Sequence, residues 1–380
     1  MIGGFYMKIA LLSGVTSVHT HRWANALADL GHEVHLISLI GHKSEVNKIS
    51  DKVTLHYINK SGRLAYFTGG ADLKKLLAKI KPDILNAHYA SGYGTLAQRS
   101  GFHPTLLSVW GSDVYDFPSN ALCRAILIKN LHYADALAST SHAMARQTEK
   151  FITPSSPIFV TPFGVDTNLF SPAETCQYGR NDGSITIGTV KTLEEKYGIE
   201  YLIRAFNIVC RSPEVKNISN IRLKIYGKGS LEANLKALSA ELGLSEKIEF
   251  CGFIPNKNVP AALHSLDIAC IPSILDSESF GVSAVEAMSC AVPVVVADVD
   301  GLKEVVDDKV TGFVVERKNP QAMADKIIEL IKSPDLRISM GAAGRQRVLS
   351  LYNWDDNVRH MSDCLSKTVA EFKRLHNKSV

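Results

Sequence analysis

The chain has 380 residues, of which 46% are hydrophobic and 21% are charged. At roughly 100–200 residues per domain this length favours two domains, and the composition excludes a disordered, collagen-like or disulfide-scaffold chain. The net charge of +4 is too small to indicate nucleic acid as a partner. Residues 1–172 carry 16 Lys and Arg against 11 Asp and Glu. This excess suits an anionic surface or substrate, and equally an ordinary solvated surface.

Continuous apolar segments alternate with helical patterns along the first half of the chain. Such segments are typical of parallel strands that are buried on both faces and connected by helices. The helices predicted between them include 21–30, 72–80 and 121–133. The predicted strands of this half are 8–14, 33–39, 53–59, 84–88, 105–110, 136–140 and 158–162.

The alternation stops at 171–184, a polar, turn-rich segment with the composition of a linker, and then restarts. We therefore predict two doubly wound, Rossmann-like α/β domains facing a cleft, at 1–172 and 185–355, joined by a linker at 173–184. A last helical segment, 356–380, is free to pack back across the first domain. In doubly wound sheets ligands bind beyond the carboxyl ends of the strands. The predicted strands of the second half are 185–190, 222–226, 247–253, 268–271, 292–297 and 312–315.

The seven cysteines are odd in number, and none is spaced as Cys-x-x-Cys. This pattern fits a reducing compartment and predicts no zinc site. The N-terminus lacks the basic and apolar regions of a signal peptide, and no run reaches the ~18 apolar residues of a membrane-spanning helix. We therefore expect a cytoplasmic protein, at most peripheral at the inner face of a membrane. The predicted helix 121–133 mixes leucines with Arg124 and Lys129, which suits either an anionic membrane surface or core packing.

The most specific motif runs from Glu278 to Met288 and reads ESFGVSAVEAM. Gly281 stands near the predicted start of a helix, where free backbone N–H groups and the helix dipole attract a phosphate. Glu278 lies before this turn and Glu286 lies on the helix, so the two carboxylates have different tasks. Both carboxylates could accept hydrogen bonds from sugar hydroxyls. The alternative is a surface helix on which the glutamates have no such role.

Two further motifs lie in loops that follow predicted strands. Lys191 and Lys196 stand five residues apart in the first loop, where two ammonium groups can neutralise a diphosphate without a metal. The second motif is the Tyr-Gly-Lys-Gly sequence at 226–229, whose glycines permit close approach of the backbone. A solvated Lys/Glu loop and an ordinary glycine turn are the alternatives.

These three motifs, in this order, resemble the second domain of glycosyltransferase family 4, the retaining group 1 transferases with the GT-B fold. The Pro-Phe-Gly-Val-Asp sequence at 162–166 and Trp354 also resemble family positions. In the first half, 82–88 resembles the family segment whose histidine, here His88, faces the reaction centre. The Trp-Gly-Ser-Asp sequence at 110–113 resembles a variant found in many surface-polysaccharide members.

The resemblance implies a role for each of these positions. It implies that Glu286 binds the nucleotide ribose and that Glu278 contacts the donor sugar. It also implies that Lys191 and Lys196 hold the diphosphate, and that these lysines, Glu278 and His88 form the catalytic set. The remaining nucleotide-sugar contacts implied by the resemblance are Ser279, Phe280, Gly281, Val282, Gly227, Phe253 and Ile254.

Three positions depart from the family pattern. Lys191 stands where most members have arginine, so the phosphate contact is a point charge instead of a bidentate fork. The Asp-Gly pair at 300–301 stands where Gly-Gly is common, so the sequence does not decide how closely the backbone can approach the donor there. The first loop lacks the usual double glycine. Gly14 in that loop is expected on the acceptor side together with Asp113, whose alternative role is to cap the following turn.

The function implied is that of a retaining glycosyltransferase (EC 2.4) of surface polysaccharide or glycolipid biosynthesis. Its donor is expected to be a UDP- or GDP-sugar and its acceptor a saccharide or lipid-linked saccharide, with no metal cofactor and no nucleic acid partner. Asp298 and Asp300 have the spacing of a metal-binding pair, but they follow a strand beyond the donor motif and are expected to cap a turn. The alternatives are a non-catalytic nucleotide-sugar or glycan-binding protein and a nucleotide-sugar epimerase of the same architecture.

Overall fold

The chain divides into two compact units, with boundaries between Phe163 and Gly164 and between Trp354 and Asp355. Most of the predicted linker, 174–182, lies outside the described residues. The assignment of acceptor binding to the first domain and nucleotide-sugar binding to the second stays a prediction. The computed structural model describes residues 6–44, 48–154, 157–173, 183–218 and 220–376.

The first unit contains a parallel sheet whose strands lie within a few residues of the predicted positions. They are β1 (Lys8–Leu12), β2 (Glu33–Leu39), β3 (Val53–Ile58), β4 (Ile84–His88), β5 (Thr105–Val109), β6 (Ala136–Ser139) and β7 (Phe159–Val160). Their order across the sheet is β3-β2-β1-β4-β5-β6-β7. The helices of this part of the chain are α1 (Val18–Asp29), α2 (Ala65–Thr68), α3 (Gly70–Ile80), α4 (Gly92–Ser100), α5 (Ser112–Tyr115), α6 (Ala121–Tyr133) and α7 (His142–Glu149).

The second unit repeats this plan with another parallel sheet. Its strands are β8 (Ser184–Val190), β9 (Asn220–Tyr226), β10 (Ile248–Gly252), β11 (Ile268–Ile271), β12 (Val294–Ala297) and β13 (Gly312–Val315). Their order is β10-β9-β8-β11-β12-β13. The helices are α8 (Ile199–Arg211), α9 (Glu232–Glu241), α10 (Val259–His264), α11 (Val282–Ser289), α12 (Asp300–Val305), α13 (Pro320–Lys332) and α14 (Pro334–Leu351).

The last helix, α15 (Trp354–His376), belongs to the first unit from Asp355 onwards. Ser362 hydrogen-bonds His32 at 2.8 Å, and the imidazole of His360 donates to the carbonyl oxygen of Val160 at 3.0 Å. The helix also buries Leu365. These side-chain contacts therefore attach the C-terminal helix to the first unit, which contains the N-terminal part of the chain.

Strand order places one binding crevice in each unit. In the first sheet β1 lies between β2 and β4, and in the second β8 lies between β9 and β11. The order reverses at these strands, so the loops after them diverge and leave a crevice at their carboxyl ends. Each unit is thus a doubly wound α/β sheet, as the sequence predicts. Within the described ranges, no helix is both long and apolar enough to cross a membrane.

Candidate active site

A cavity of about 420 Å³ lies beside the carboxyl ends of β8 and β9 in the second unit. The residues around it come from the loops after these strands and from α11, which are far apart in sequence. Six of the predicted site residues line it: Lys191, Gly227, Phe253, Ile254, Val282 and Glu286. The fold therefore gathers one predicted set of residues at the crevice that its topology creates.

Glycines press the loops after β8 and β9 against each other. The backbone N–H of Lys191 donates to the carbonyl oxygen of Tyr226 at 2.9 Å. Gly227 has a φ of 141°, and a Cβ there would lie 1.9 Å from the carbonyl oxygen of Lys191. A Cβ on Gly229 would lie 2.3 Å from the carbonyl oxygen of Leu193. Only glycine fits at either position, so these glycines allow the two loops to pack closely, and Gly227 lines the cavity itself.

Lys191 and Glu278 form a nearly buried ion pair beside the cavity. The ammonium nitrogen Nζ of Lys191 donates to Oε1 of Glu278 at 2.8 Å and to Oγ of Ser283 at 3.2 Å. The two charged side chains are only 11% and 9% exposed. Loss of one partner from such a pair leaves the other charge buried and uncompensated, which costs about 3–5 kcal/mol. Sequence spacing could not reveal this contact, because the partners are 87 residues apart.

The aromatic ring of Tyr197 brings the two predicted phosphate-binding lysines together. Nζ of Lys191 lies 4.6 Å from the centroid of this ring, and Nζ of Lys196 lies 4.9 Å from it. An ammonium group over an aromatic face is held by the ring quadrupole. Lys191 and Tyr197 line the cavity, whereas Lys196 contacts the Tyr197 ring and is not part of the lining. The two ammonium groups therefore share one aromatic ring beside the cavity, and that of Lys191 is also paired with Glu278.

The loop that carries Glu278 is buried and shaped by a second pair of glycines. Ser279 and Phe280 are buried, and the Phe280 ring meets the ring of Tyr352 edge-on at 5.4 Å. Gly281 precedes α11 with a φ of 82°, which suits glycine. A Cβ on Gly301 would lie 2.4 Å from the carbonyl oxygen of Glu278. The backbone room that the family pattern requires at 300–301 is therefore supplied by Gly301.

Arg317 ties the 276–281 loop to the end of β12. Its guanidinium donates to Oδ1 of Asp298 at 2.9 Å and to Oδ1 of Asp276 at 3.0 Å. Burial opposes ionisation here, but the hydrogen bonds and charge of Arg317 hold the pKa values of Asp276 and Asp298 below their usual range. Asp300 pairs instead with Lys303 at 2.9 Å. Across the described chain, no group of three or more His, Cys, Asp or Glu side chains is arranged to hold a metal ion.

The remaining lining of the cavity includes two apolar residues and two charged ones. Phe253 is 69% exposed and lies beside Ile254, and a planar ligand group can stack on such a ring. Glu286 on α11 is half-buried and adds a carboxylate to the lining. Lys228 also lines the cavity and was not predicted as a site residue. Its only signal in the sequence is its place between the two glycines of the 226–229 motif.

The predicted site residues of the first unit have varied environments. His88 ends β4, is fully buried, and donates from Nε2 to Oδ1 of Asn86 at 3.0 Å. Its ring lies 4.2 Å from the Trp110 ring, and burial lowers its pKa to about 3. Asp113 is also buried and accepts the backbone N–H groups of Ala90 and Gly111 at 2.7 and 2.8 Å. Asp113 therefore links the backbone after β4 to the backbone after β5. Neither His88 nor Asp113 lines the cavity described next.

Gly14, the other residue predicted on the acceptor side, lines a separate cavity of about 310 Å³ in the first unit. This cavity lies where the order of the first sheet reverses, beyond β1, β2 and β4. Each unit therefore carries a cavity at the carboxyl ends of its strands.

Known proteins match this chain in sequence and in fold. The family description "Glycosyl transferases group 1" matches residues 172–347, and "Glycosyl transferase 4-like" matches residues 8–141. A GDP-mannose-dependent alpha-(1-6)-phosphatidylinositol monomannoside mannosyltransferase of Mycolicibacterium smegmatis is 28% identical over 285 residues, which cover 72% of each chain. Sucrose-phosphate synthase of Thermosynechococcus elongatus has a TM-score of 0.82 at 20% identity and covers 96% of this chain and 99% of its own. Anabaena HepE, solved with UDP and glucose, has a TM-score of 0.76 at 17% identity, with 95% and 100% covered.

The paired doubly wound sheets and the motifs around the second cavity define an enzyme of the glycosyltransferase class. The chain belongs to the glycosyl transferases group 1 family, glycosyltransferase family 4. The sequence-based prediction of this family and of its fold class is confirmed.

Proposed function

We propose that this glycosyltransferase moves a sugar from a UDP- or GDP-sugar to a hydroxyl group of a saccharide or lipid-linked acceptor, with retention of anomeric configuration. The observation that carries the proposal is the second-unit cavity, whose lining includes Lys191, Glu286 and exposed Phe253. Two relatives support the donor class: HepE was solved with UDP and glucose, and the mycobacterial mannosyltransferase is named as GDP-mannose-dependent.

The cavity suits a nucleoside diphosphate in each of its parts. Phe253 offers a ring face and Ile254 an apolar edge for the base. Glu286 offers a carboxylate to accept hydrogen bonds from ribose hydroxyls. Lys191 and Lys196, held at one ring, offer positive charge to the two phosphates. The resemblance to the family assigns the same order of contacts.

The chemistry requires negative charge to be stabilised on the leaving diphosphate. The bond between the anomeric carbon and the phosphate oxygen breaks while the acceptor hydroxyl adds to that carbon, and the acceptor proton passes to the leaving phosphate. Fixed positive charges that meet the growing negative charge lower the barrier more than they strengthen ground-state binding. Lys191, Lys196 and the N-terminus of α11 supply that field.

Glu278 has to change partners during this reaction. Without a ligand its carboxylate neutralises Lys191 at 2.8 Å. When a diphosphate draws the ammonium group towards the phosphates, the carboxylate is released to accept a hydrogen bond from a hydroxyl of the donor sugar. The ion pair thus keeps both groups balanced in the empty site and makes the sugar contact dependent on the phosphate contact.

We also propose that the diphosphate is neutralised by these lysines without a metal ion, and that the enzyme works at the cytoplasmic face of a membrane in surface polysaccharide or glycolipid synthesis. Helix α6 offers the membrane contact through a limited surface. Leu127 and Leu131 are buried in the core, whereas Leu122 is 71% exposed beside exposed Arg124 and Lys129. Such a contact weakens with salt, so co-sedimentation with anionic vesicles at low and high salt tests this part, and no binding at low salt rejects it.

Release of UDP or GDP from a panel of nucleotide sugars, with and without a panel of saccharide acceptors and with and without chelator, tests the function. Acceptor-dependent release that survives chelator, with a product of unchanged anomeric configuration by NMR, is the expected result. Conversion of the donor without an acceptor indicates an epimerase. Donor binding without any release indicates a binding protein. Loss of release in chelator and its return with manganese overturns metal independence.

A further inference from the structure

The cavity of the first unit has a composition unlike that of the second. It is lined by three tyrosines, a histidine, small hydroxyl residues and glycines, and none of these lining groups bears a full charge when the histidine is neutral. Lysine and carboxylate side chains, which the second-unit cavity has in Lys191, Lys228 and Glu286, are not part of this lining.

The backbone around this cavity is held in an unusual conformation. Tyr89 follows β4 with a φ of 68°, in the left-handed region that non-glycine residues rarely adopt. Its N–H donates to the carbonyl oxygen of Ser108 at 2.9 Å, and the buried carboxylate of Asp113 accepts the next N–H, that of Ala90. Strain of about 1–3 kcal/mol persists only where the surroundings over-determine it, and such residues cluster at ligand sites.

A hydrogen-bond relay reaches His42 from the interior. Tyr93 is buried, and its phenolic oxygen accepts the N–H of Leu39 at 3.3 Å and lies 3.2 Å from Oγ of Ser38. The shortest contact of this oxygen is to Nδ1 of His42, at 2.7 Å. Oγ of Ser38 has one proton for two acceptors, the carbonyl oxygen of Leu39 at 3.4 Å and Tyr93 at the shorter 3.2 Å. When that proton goes to Tyr93, the phenol accepts from both Leu39 and Ser38 and directs its own proton at His42. The imidazole is then held with Nδ1 as acceptor and Nε2 protonated.

The environment keeps these groups neutral. Burial lowers the pKa of His42, so its imidazole is uncharged at pH 7. Burial also raises the pKa of Tyr93, so the phenol keeps its proton and remains a donor. Among the described residues, Nε2 of His42 has no hydrogen-bond partner, and the residue lines the cavity. The protein thus presents a fixed N–H donor without a positive charge.

Aromatic surface completes the lining. The Tyr66 ring meets the Tyr93 ring edge-on at 5.4 Å and lies over Gly92, where a Cβ would come within 2.7 Å of it. Aromatic rings pack against the C–H faces of a saturated ring, while hydroxyl and imidazole groups pair with its hydroxyls. A phosphate or carboxylate would enter without a counter-charge from the lining, which is costly in a partly buried site.

We propose that this cavity binds an uncharged, polyhydroxylated six-membered ring of the acceptor, and that His42 recognises it by donating a hydrogen bond from Nε2. Tyr93 is the positioning residue that fixes the imidazole in this state. The assignment of the ring to the acceptor rests on the proposed function. The relay itself, and the preference for an uncharged ring, rest on the geometry of the first unit alone.

Saturation-transfer NMR on the whole protein tests ligand choice with methyl α-D-mannopyranoside, methyl α-D-glucopyranoside and myo-inositol as uncharged probes. Glucose 6-phosphate is the anionic comparison. We expect at least one uncharged probe to bind and glucose 6-phosphate to bind at least about tenfold more weakly than the matching glucoside. Binding of no uncharged probe, or tighter binding of the phosphate, overturns the proposal.

Nitrogen-15 NMR of the imidazoles tests the relay, with His42→Gln used to assign the signal. We expect Nε2 of His42 to be protonated and Nδ1 unprotonated at pH 7.5, and Tyr93→Phe to mix the two tautomers. Both variants should weaken the uncharged probe about 3- to 10-fold, the scale of one hydrogen bond. An Nδ1-protonated His42, or an unchanged tautomer in Tyr93→Phe, contradicts the relay.

Calorimetry of the same variants with UDP and GDP separates this inference from the proposed function. Nucleotide binding should be equal in the wild type, His42→Gln and Tyr93→Phe, because the second unit holds that site. Loss of sugar binding with nucleotide binding intact is therefore a statement about this cavity. If the wild type binds the sugar probe but neither nucleotide, the result contradicts the proposed function and leaves the inference about this cavity standing.

Discussion

Lys191 supplies a positive charge to the leaving diphosphate in the proposed reaction. Its ammonium group is held by Glu278, Ser283 and the ring of Tyr197 before a ligand arrives. Once the diphosphate has replaced Glu278 as its partner, the ammonium group already faces the oxygen on which charge grows in the transition state, which is the condition under which such groups are most effective.

Replacing Lys191 with alanine should lower turnover by about 30- to 1000-fold, the equivalent of about 2–4 kcal/mol. Donor affinity should fall less, because charge on the leaving diphosphate grows in the transition state. Lys196→Ala should act in the same direction. The double variant should cost less than the sum, because both lysines serve one phosphate site. Steady-state kinetics measures all three.

Two matched variants control this series. Exposed Lys216 lies outside the cavity, and Lys216→Ala should leave turnover unchanged. Lys191→Arg restores the positive charge and should recover most of the loss, which excludes a mere folding defect from the uncompensated Glu278. Full activity in both Lys191→Ala and Lys196→Ala would show the loop to be ordinary surface.

Glu278 should behave as a sugar-binding group and not as a nucleotide-binding one. In Glu278→Gln the amide keeps the shape but removes the charge that neutralises Lys191. Binding of UDP or GDP should hold or tighten a few-fold, because one negative charge beside the diphosphate is gone, while turnover falls and discrimination between two donor sugars weakens. Kinetics with two nucleotide sugars, beside calorimetry with the free diphosphate, checks this. Weaker nucleotide binding would reverse the assignment.

At the scale of elements, Arg317 connects β13 to the loop that carries the donor-site residues. Its two carboxylate partners come from separate segments, the loop residue Asp276 and Asp298 at the end of β12. One guanidinium therefore sets the distance between the 276–281 loop and the sheet.

Arg317→Met should lower the free energy of unfolding by about 1–2 kcal/mol, a value reduced because these side chains are partly exposed. Turnover should fall as the loop loosens. The pKa values of Asp276 and Asp298 lie below their ordinary value of 3.8, so their contribution is present above pH 3.8 and is lost as the pH falls through the lowered folded values.

Chemical denaturation of Arg317→Met and of Lys332→Met measures this. Lys332 forms an exposed ion pair with Glu214, and its loss should cost under about 0.5 kcal/mol. Equal effects of the two substitutions would show that Arg317 has no special anchoring role.

The elements themselves could be predicted from the sequence because strands buried on both faces are continuous apolar runs. Even β7, only two residues long, was predicted within 158–162. The short helix α2 was not predicted, because a four-residue turn has too few positions to show a 3.6-residue period.

At the scale of the whole molecule, the residues that line the second-unit cavity could largely be predicted from the sequence, but the contacts between their side chains could not. Gly227 signalled a close backbone approach, and the structure supplies the partner, the carbonyl oxygen of Lys191. The Lys191–Glu278 pair and the place of Tyr197 between two lysines depend on how distant loops pack, which spacing does not encode.

The histidines give the molecule a predictable response to acid. Ten of the 13 histidines lie in residues 1–172, and burial lowers the pKa of His88 from 6.5 to about 3. Between pH 6.5 and pH 3, His88 is therefore protonated in the unfolded chain but neutral in the folded protein. The free energy of unfolding consequently falls as the pH falls from 6.5 towards 3. Each such histidine contributes a slope of about 1.4 kcal/mol per pH unit.

Replacing His88 with asparagine should reduce the slope of unfolding free energy against pH by about this amount between pH 6 and 4. Denaturant titrations at several pH values measure the slope independently of any overall loss of stability. An unchanged slope would mean that His88 is protonated in the folded protein.

Calorimetric titration of UDP and GDP into the wild type and Glu286→Gln tests the central claim, that the second-unit cavity is the nucleotide-sugar site. Glu286 lines this cavity on α11, and its proposed partner is a ribose hydroxyl. We predict that the wild type binds at least one of the two nucleotides and that Glu286→Gln binds it more weakly by about 1–3 kcal/mol, roughly 5- to 150-fold. Equal affinity of the two proteins, or no binding of either nucleotide by the wild type, would contradict the account.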